Sequence, residues 1–169
     1  RLESGWNRGR NLLVQRNIMG KTVTQIEPKP AEKSSCKVAL IEAENIDMVW
    51  DDVVPLIEKA LRHAEGELIP EDIKKHLESE NLRLWVALKD KNVIAAMVTE
   101  IIQYPRKRIV RVITLAGKDM GLWYDFLPML EGYAIRHGCS SLEAWTRKGM
   151  TRKLKDWKHS YDIITKDLK

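Results

Sequence analysis

Leu82-Arg83-Leu84-Trp85-Val86-Ala87-Leu88-Lys89 reads as a strand, and Asp90-Lys91-Asn92 turns it into a second apolar run, Val93 to Tyr104. Pro105-Arg106-Lys107 turns that run into a third, Arg108 to Ala116. Three consecutive strands joined by short turns predict an antiparallel meander. That meander decides the fold, because both flanks read as helix-bearing units that need a sheet to cover.

Upstream, Lys37 to Ala43 is a short β-type run. Val49, Trp50, Val53, Val54, Ile57 and Leu61 then recur at helical spacing, with Pro55 among them. Pro70-Glu71-Asp72 opens a second helix with proline at its first position and acids in its first turn. Downstream, Gly117 to Gly121 is a loop. Trp123, Phe126, Leu127, Leu130, Tyr133, Ala134 and His137 then mark one face of a long helix that Gly138 stops. Ser141 to Trp145 is a further strand, Lys148 to Lys155 a short basic helix, and Tyr161 to Leu168 a last strand centred on Ile163 and Ile164. The order β-α-α-β-β-β-α-β-α-β predicts an α/β (α+β) domain with a mixed central sheet and helices on both faces. The crossover from Arg108–Ala116 through the long helix to Ser141 should be parallel and right-handed.

Composition bounds the rest. A chain of 169 residues, 44% hydrophobic and 31% charged, suits one domain with one sizeable core. No stretch approaches the roughly 18 apolar residues of a membrane span, and the first ten residues do not read as a secretory signal. Two cysteines, Cys36 and Cys139, argue against a disulfide scaffold. Cys139 lacks a neighbouring base and reads as a structural thiol. His63, His76, His137 and His159 are scattered, so no metal site is expected. A cytoplasmic setting fits these features.

The net charge of +5 is uneven. Residues 1–35 carry seven basic and three acidic side chains, residues 36–145 fourteen and eighteen, and residues 146–169 eight and three. Both ends are basic and the body is mildly acidic. Residues 1–35, with Glu27-Pro28-Lys29-Pro30, read as a basic extension or linker outside the core, and 36–169 as the folded domain. A local helix around Asn11 to Ile18 is expected, and Met19-Gly20-Lys21 resembles a translation start.

Several motifs carry a resemblance. They are Leu84-Trp85, Val98-Thr99-Glu100-Ile101, Tyr104-Pro105, Leu115-Ala116-Gly117-Lys118-Asp119-Met120, Leu130-Glu131-Gly132-Tyr133-Ala134, Gly138-Cys139 and the run from Arg147 through Gly149 to Lys155. From Lys37 onward the chain resembles the GNAT superfamily of acyl-CoA-dependent N-acyltransferases, and within it a group of GNAT-like proteins encoded by bacteriophages. The resemblance implies acetyl-CoA as cofactor, bound at the end of the third meander strand by Leu115, Ala116, Gly117, Lys118, Asp119, Met120 and Gly121. A glycine-bearing loop that opens a helix suits a pyrophosphate, because helix-start N–H groups and the dipole favour an anion. The family's loop reads Gln/Arg-x-x-Gly-x-Gly/Ala; here Lys118 stands first, Gly121 is kept, and Trp123 occupies the small-residue position.

Acyl transfer to an amine needs a proton acceptor and often an acid for the leaving thiolate. The resemblance implies a strand carboxylate as base. Glu100, mid-strand in an apolar run, is the first choice and Glu143 the second. The short basic helix lacks the family's tyrosine, leaving Tyr161 and Tyr124 as substitutes for the acid. Glu100 also fits an outward-facing residue of an alternating strand, and both tyrosines fit packing.

Arg147, Lys148, Arg152, Lys153, Lys155 and Lys158, flanked by Trp145 and Trp157, form the densest basic segment. Such a segment suits phosphate or single-stranded nucleic acid, and equally a solvated helix face. Two functions stand side by side: an N-acyltransferase acting on a small-molecule or protein amine, and a catalytically inactive GNAT-like module. The second would contact nucleic acid or other phage proteins, in the host cytoplasm or on the virion.

Overall fold

The computed structural model describes residues 13–18, 21–26, 36–64, 66–118, 121–146, 154, 156–160, 162–166 and 168. The chain divides into two units, Arg1–Ser35 and Cys36–Lys169.

In the first unit β1 (Leu13–Ile18) pairs antiparallel with β2 (Lys21–Ile26), Ile18 opposite Lys21. Where a local helix is expected around Asn11 to Ile18, the described residues Leu13–Ile18 therefore form a strand. Val14, Ile18, Thr22, Val23 and Ile26 are β-branched, which disfavours helix, and a two-residue connection brings a partner strand alongside.

The second unit carries a five-stranded sheet in the order β3-β4-β5-β6-β7: β3 (Lys37–Ile41), β4 (Leu82–Lys89), β5 (Asn92–Gln103), β6 (Arg108–Gly117) and β7 (Ser141–Ala144). β3 to β6 are antiparallel neighbours, and β7 lies parallel to β6. The meander has the predicted limits to within a residue. Its first turn, Asp90-Lys91, has φ of 50° and 66°, the two left-handed residues of a tight hairpin whose twist matches the strands.

Strand alternation divides the core between the two faces. Leu84, Val86, Ala96 and Val98 pack against Ile46, Val53 and Ile57 of α1 (Ile46–Leu61) and Ile73 and Leu77 of α2 (Pro70–Glu78). On the opposite face Trp85, Ala87, Met97, Val110 and Val112 pack against Phe126, Leu130, Tyr133 and Ala134 of α3 (Leu122–Arg136). Trp85 Nε1 donates to Thr99 Oγ1 at 3.0 Å, so its one polar atom is satisfied within that core. α3 ends as predicted. Gly138 has φ of 69°, its N–H reaches Ile135 O, and the Cys139 N–H reaches Ala134 O, the paired bonds of a Schellman stop.

The last predicted strand, Tyr161 to Leu168, does not form over its described residues. Residues 162–166 form no regular structure, and Ile163 and Ile164 are exposed. Two β-branched residues at its centre do not make a strand: the sheet ends at β7, and no described strand pairs with this run. The basic helix expected over Lys148 to Lys155 lies outside the described residues, apart from Leu154, which is buried in the α3-side core.

Candidate functional site

The site begins where two strands part. β6 and β7 are paired only through Val112, whose partner Ala144 ends β7. β6 runs on to Gly117 with β5 on one side, and among the described residues no strand continues on the other. A bulge in β6 coincides with the parting: Thr99 pairs with Val112 and Val98 with Thr114, leaving Ile113 over. Bulges re-aim a strand. Val110 and Val112 face α3 before it, and Leu115 faces α3 after it.

One residue before the parting, three charged side chains line up across β5, β6 and β7. Glu100 pairs with Arg111 and Arg111 with Glu143 in the sheet register, so all three point to the same face. The Arg111 Nε donates to Glu143 Oε1 at 2.6 Å, Nη1 to Glu100 Oε1 at 3.3 Å, and Nη2 to Tyr104 Oη at 3.1 Å. Trp145 Nε1 donates to the same Glu143 oxygen at 3.1 Å, and the guanidinium lies 4.3 Å from the Trp145 ring centroid. Burial opposes the charge on Arg111. The Glu143 hydrogen bond and the charges of Glu143 and Glu100 outweigh it and raise the guanidinium's pKa.

The carboxylates are not equivalent. Glu143 is 19% exposed and takes the short bond, whereas Glu100 is 31% exposed and takes the longer one. The cluster sums to one negative charge and opens to solvent at Trp145, which is 56% exposed.

At the far end of β6, Lys59 of α1 donates from Nζ to Gly117 O at 3.4 Å. Gly117 is needed for close approach: a Cβ there would lie 2.7 Å from Ala95 Cβ. Lys118 is exposed, and its backbone N–H is taken by Ile94 O. Gly121 caps α3 with an ordinary right-handed φ of −61°, so the loop does not use it for a left-handed turn.

Of the expected cofactor residues, Leu115 and Ala116 turn their side chains into the protein and offer only backbone. Gly117, Lys118 and Gly121 sit at the strand end and helix start. Asp119 and Met120 lie outside the described residues, as do Tyr161, Arg147, Lys148, Arg152, Lys153, Lys155 and the side chain of Trp123. Lys158 and Tyr124 are exposed, and Cys139 packs against the α3-side core.

Sequence reading missed Arg111, Tyr104, Trp145 and Lys59 as members of the site. A lone arginine inside Ile109-Val110-Arg111-Val112-Ile113 is a readable signal, since such a charge needs partners on adjacent strands. Among the described residues no group of three or more metal-ligating side chains occurs, and no helix is long and apolar enough to cross a membrane.

Solved structures share this fold. An aminoglycoside acetyltransferase from an uncultured soil metagenomic sample, solved with sisomicin, is 14% identical with a TM-score of 0.61, over 79% of this chain and 97% of its own. A GNAT family acetyltransferase from Staphylococcus aureus is 13% identical with a TM-score of 0.59, over 79% and 99%. The aminoglycoside N-acetyltransferase AAC(6')-Iy, solved with CoA, is 12% identical with a TM-score of 0.61, over 83% and 99%. The chain has the GNAT fold. No family model matches the sequence, and no curated protein matches it either. Within the GNAT fold the parting of β6 and β7 lies at the carboxyl end of parallel strands, where open α/β sheets bind ligands.

Among the described residues the edge of residues 113–117 has no strand neighbour on the β7 side, and Lys59, Lys118 and the start of α3 could hold a phosphate-bearing cofactor at its end.

Proposed function

We propose that the protein is an N-acyltransferase that moves an acyl group from acyl-CoA to a primary amine. One observation carries this reading: β6 loses its β7 neighbour at Val112, beside a half-buried Arg111 that holds two carboxylates at the point of parting. Bound acyl-CoA would supply the thioester and its thiol leaving group. The chain's residues would do the rest. The backbone of residues 113–117 would align the arm, Lys59 and Lys118 would offset phosphate charge, and Glu100 would take the proton from an ammonium acceptor. Arg111 would hold Glu143 and orient Glu100. The aminoglycoside bound by one of the similar structures supports a cationic amine, as does the cluster's net negative charge.

Calorimetric titration with acetyl-CoA tests this, with coenzyme A and ATP as controls. Micromolar binding that needs the pantetheine arm is expected. No binding at millimolar ligand rejects the reading.

A second reading draws on the same cluster. Arg111 engages both candidate carboxylates, as it would in a structural tie, and a non-catalytic module contacting nucleic acid or phage virion proteins through the basic segment would need no base. Binding to single-stranded nucleic acid that falls steeply with salt and with reversal of Lys153 and Lys155 would favour it.

A further inference from the structure

β5 outruns its neighbour on one side. β4 begins at Leu82, opposite Glu100, so Ile101, Ile102 and Gln103 have no β4 partner and pair with β6 alone. Three residues span about 10 Å of strand, and by that length the β5–β6 hairpin projects past β4 as a two-stranded tip. The Tyr104 N–H closes the turn on Lys107 O at 2.8 Å. The Gln103 side-chain amide braces it, donating to Tyr104 O at 2.7 Å and to Lys107 O at 3.5 Å.

This rigid tip carries charge of one sign. Arg106, Lys107 and Arg108 are consecutive and exposed, and no carboxylate among the described residues forms an ion pair with any of them. The Lys107 ammonium lies 5.3 Å from the Tyr104 ring centroid, a contact that positions the charge without neutralising it. Residues 101–118 hold five basic and no acidic side chains, although residues 36–145 as a whole hold more acids than bases. Three like charges fixed on a braced turn repel one another, a cost that a bound polyanion removes.

The surroundings of the charge indicate the kind of polyanion. None of the large exposed hydrophobic side chains lies on the tip; its exposed neighbours are Gln103, Pro105, Ser140 and Ser141. Protein interfaces are built on an apolar centre, whereas a phosphate backbone is held by Arg, Lys and Ser without one. A two-stranded ribbon fits the major groove of B-form DNA, about 12 Å wide, with phosphates along both walls. The narrow major groove of duplex RNA does not admit it. We propose that the β5–β6 tip docks in the major groove of duplex DNA, with Arg106, Lys107 and Arg108 on the phosphates. These residues are not those of the basic segment from Arg147 to Lys158, and docking there is independent of acyl transfer.

Fluorescence anisotropy of a labelled DNA duplex of about 20 base pairs, titrated with the full chain between about 0.05 and 0.3 M salt, tests this. Each phosphate contact contributes about −0.9 to the slope of log K against log salt. Arg106→Gln and Lys107→Gln should therefore each flatten the wild-type slope by about 0.9. The double reversal Arg106→Glu/Lys107→Glu should weaken binding about tenfold or more. Lys91→Gln, at an exposed lysine in the turn at the other end of the sheet, should change neither slope nor affinity. Absence of binding at the lowest salt overturns the proposal, as do tip variants that keep the wild-type slope. Poly-glutamate that displaces the DNA as well as unlabelled duplex does would overturn it in favour of an acidic protein. All the changed side chains are exposed, and circular dichroism of each variant checks that the fold is kept.

Discussion

Arg111 Nε lies 2.6 Å from Glu143 Oε1 across the β6–β7 pair, one residue before those strands separate. The contact fastens the base of the opening, because β7 is only four residues long and contributes few other ties. It also keeps the two carboxylates of β5 and β7, which flank β6, from repelling each other. Removing a mostly buried cation leaves both uncompensated, so Arg111→Met should cost about 3 kcal/mol of stability in urea denaturation. Arg111→Lys should recover only part, because a single ammonium cannot reproduce three directed bonds to Glu143, Glu100 and Tyr104.

The alkaline behaviour of this tie follows from its sign. The guanidinium's pKa is raised in the folded chain. Its contribution is therefore complete below the unfolded-state value and is lost only as pH rises through the folded one. Both lie far above neutrality. The difference in stability between wild type and Arg111→Met should stay constant from about pH 7 to 10. A steady decline over that range, measured by thermal melts of both proteins, would contradict the assignment.

Gly117 ends β6 against Ala95, with no room for a methyl group: the added Cβ would meet Ala95 Cβ at 2.7 Å and Ile94 O at 3.3 Å. Both neighbours are strand residues that cannot swing aside. Gly117→Ala should cost about 1–2 kcal/mol by overpacking. Ala95→Gly in the same chain removes the nearer clash, so the double variant should regain part of the loss in a denaturation series. Simple additivity of the two losses would show that the strands do not meet there.

The Asp90-Lys91 turn places lysine at φ of 66°, where a side chain carries a steric cost that glycine lacks. The Asp-Gly pair is the favoured chemistry for this turn. Lys91→Gly should therefore raise stability by about 0.5–1 kcal/mol, read as a higher melting temperature with unchanged ligand binding.

The meander was legible because its turns are short. Once Asp90-Lys91 and Pro105-Arg106-Lys107 are read as turns, pairing and facing follow. The cofactor loop was legible only by resemblance and at the level of backbone placement, since Leu115 and Ala116 spend their side chains on packing. The charged cluster was not read, because Arg111 meets residues 11 before it and 32 after it. Those meetings depend on register across two junctions, one of them a parallel crossover through α3. The C-terminal run misled for the opposite reason: Ile163 and Ile164 at its centre suit a strand, but a strand also needs a partner.

Glu100 and Lys59 occupy opposite ends of the proposed site, so they should fail in different ways. Glu100 Oε1 takes one long bond from Arg111, and no described residue bonds its Oε2, which leaves that oxygen able to accept a proton. Glu100→Gln keeps the shape and an acceptor oxygen but removes the basic site. Turnover on a reactive amine should fall about a hundredfold, while acetyl-CoA affinity stays within about twofold. Lys59 is exposed at the end of β6, and its ammonium makes a long bond of 3.4 Å to Gly117 O. Lys59→Glu reverses the charge where phosphates would lie, so acetyl-CoA affinity should fall about tenfold, and less so at high salt. Calorimetry and initial rates on the two variants separate the roles. If Glu100→Gln weakens acetyl-CoA binding as much as Lys59→Glu does, Glu100 belongs to the structural tie with Arg111 and the base must be sought elsewhere.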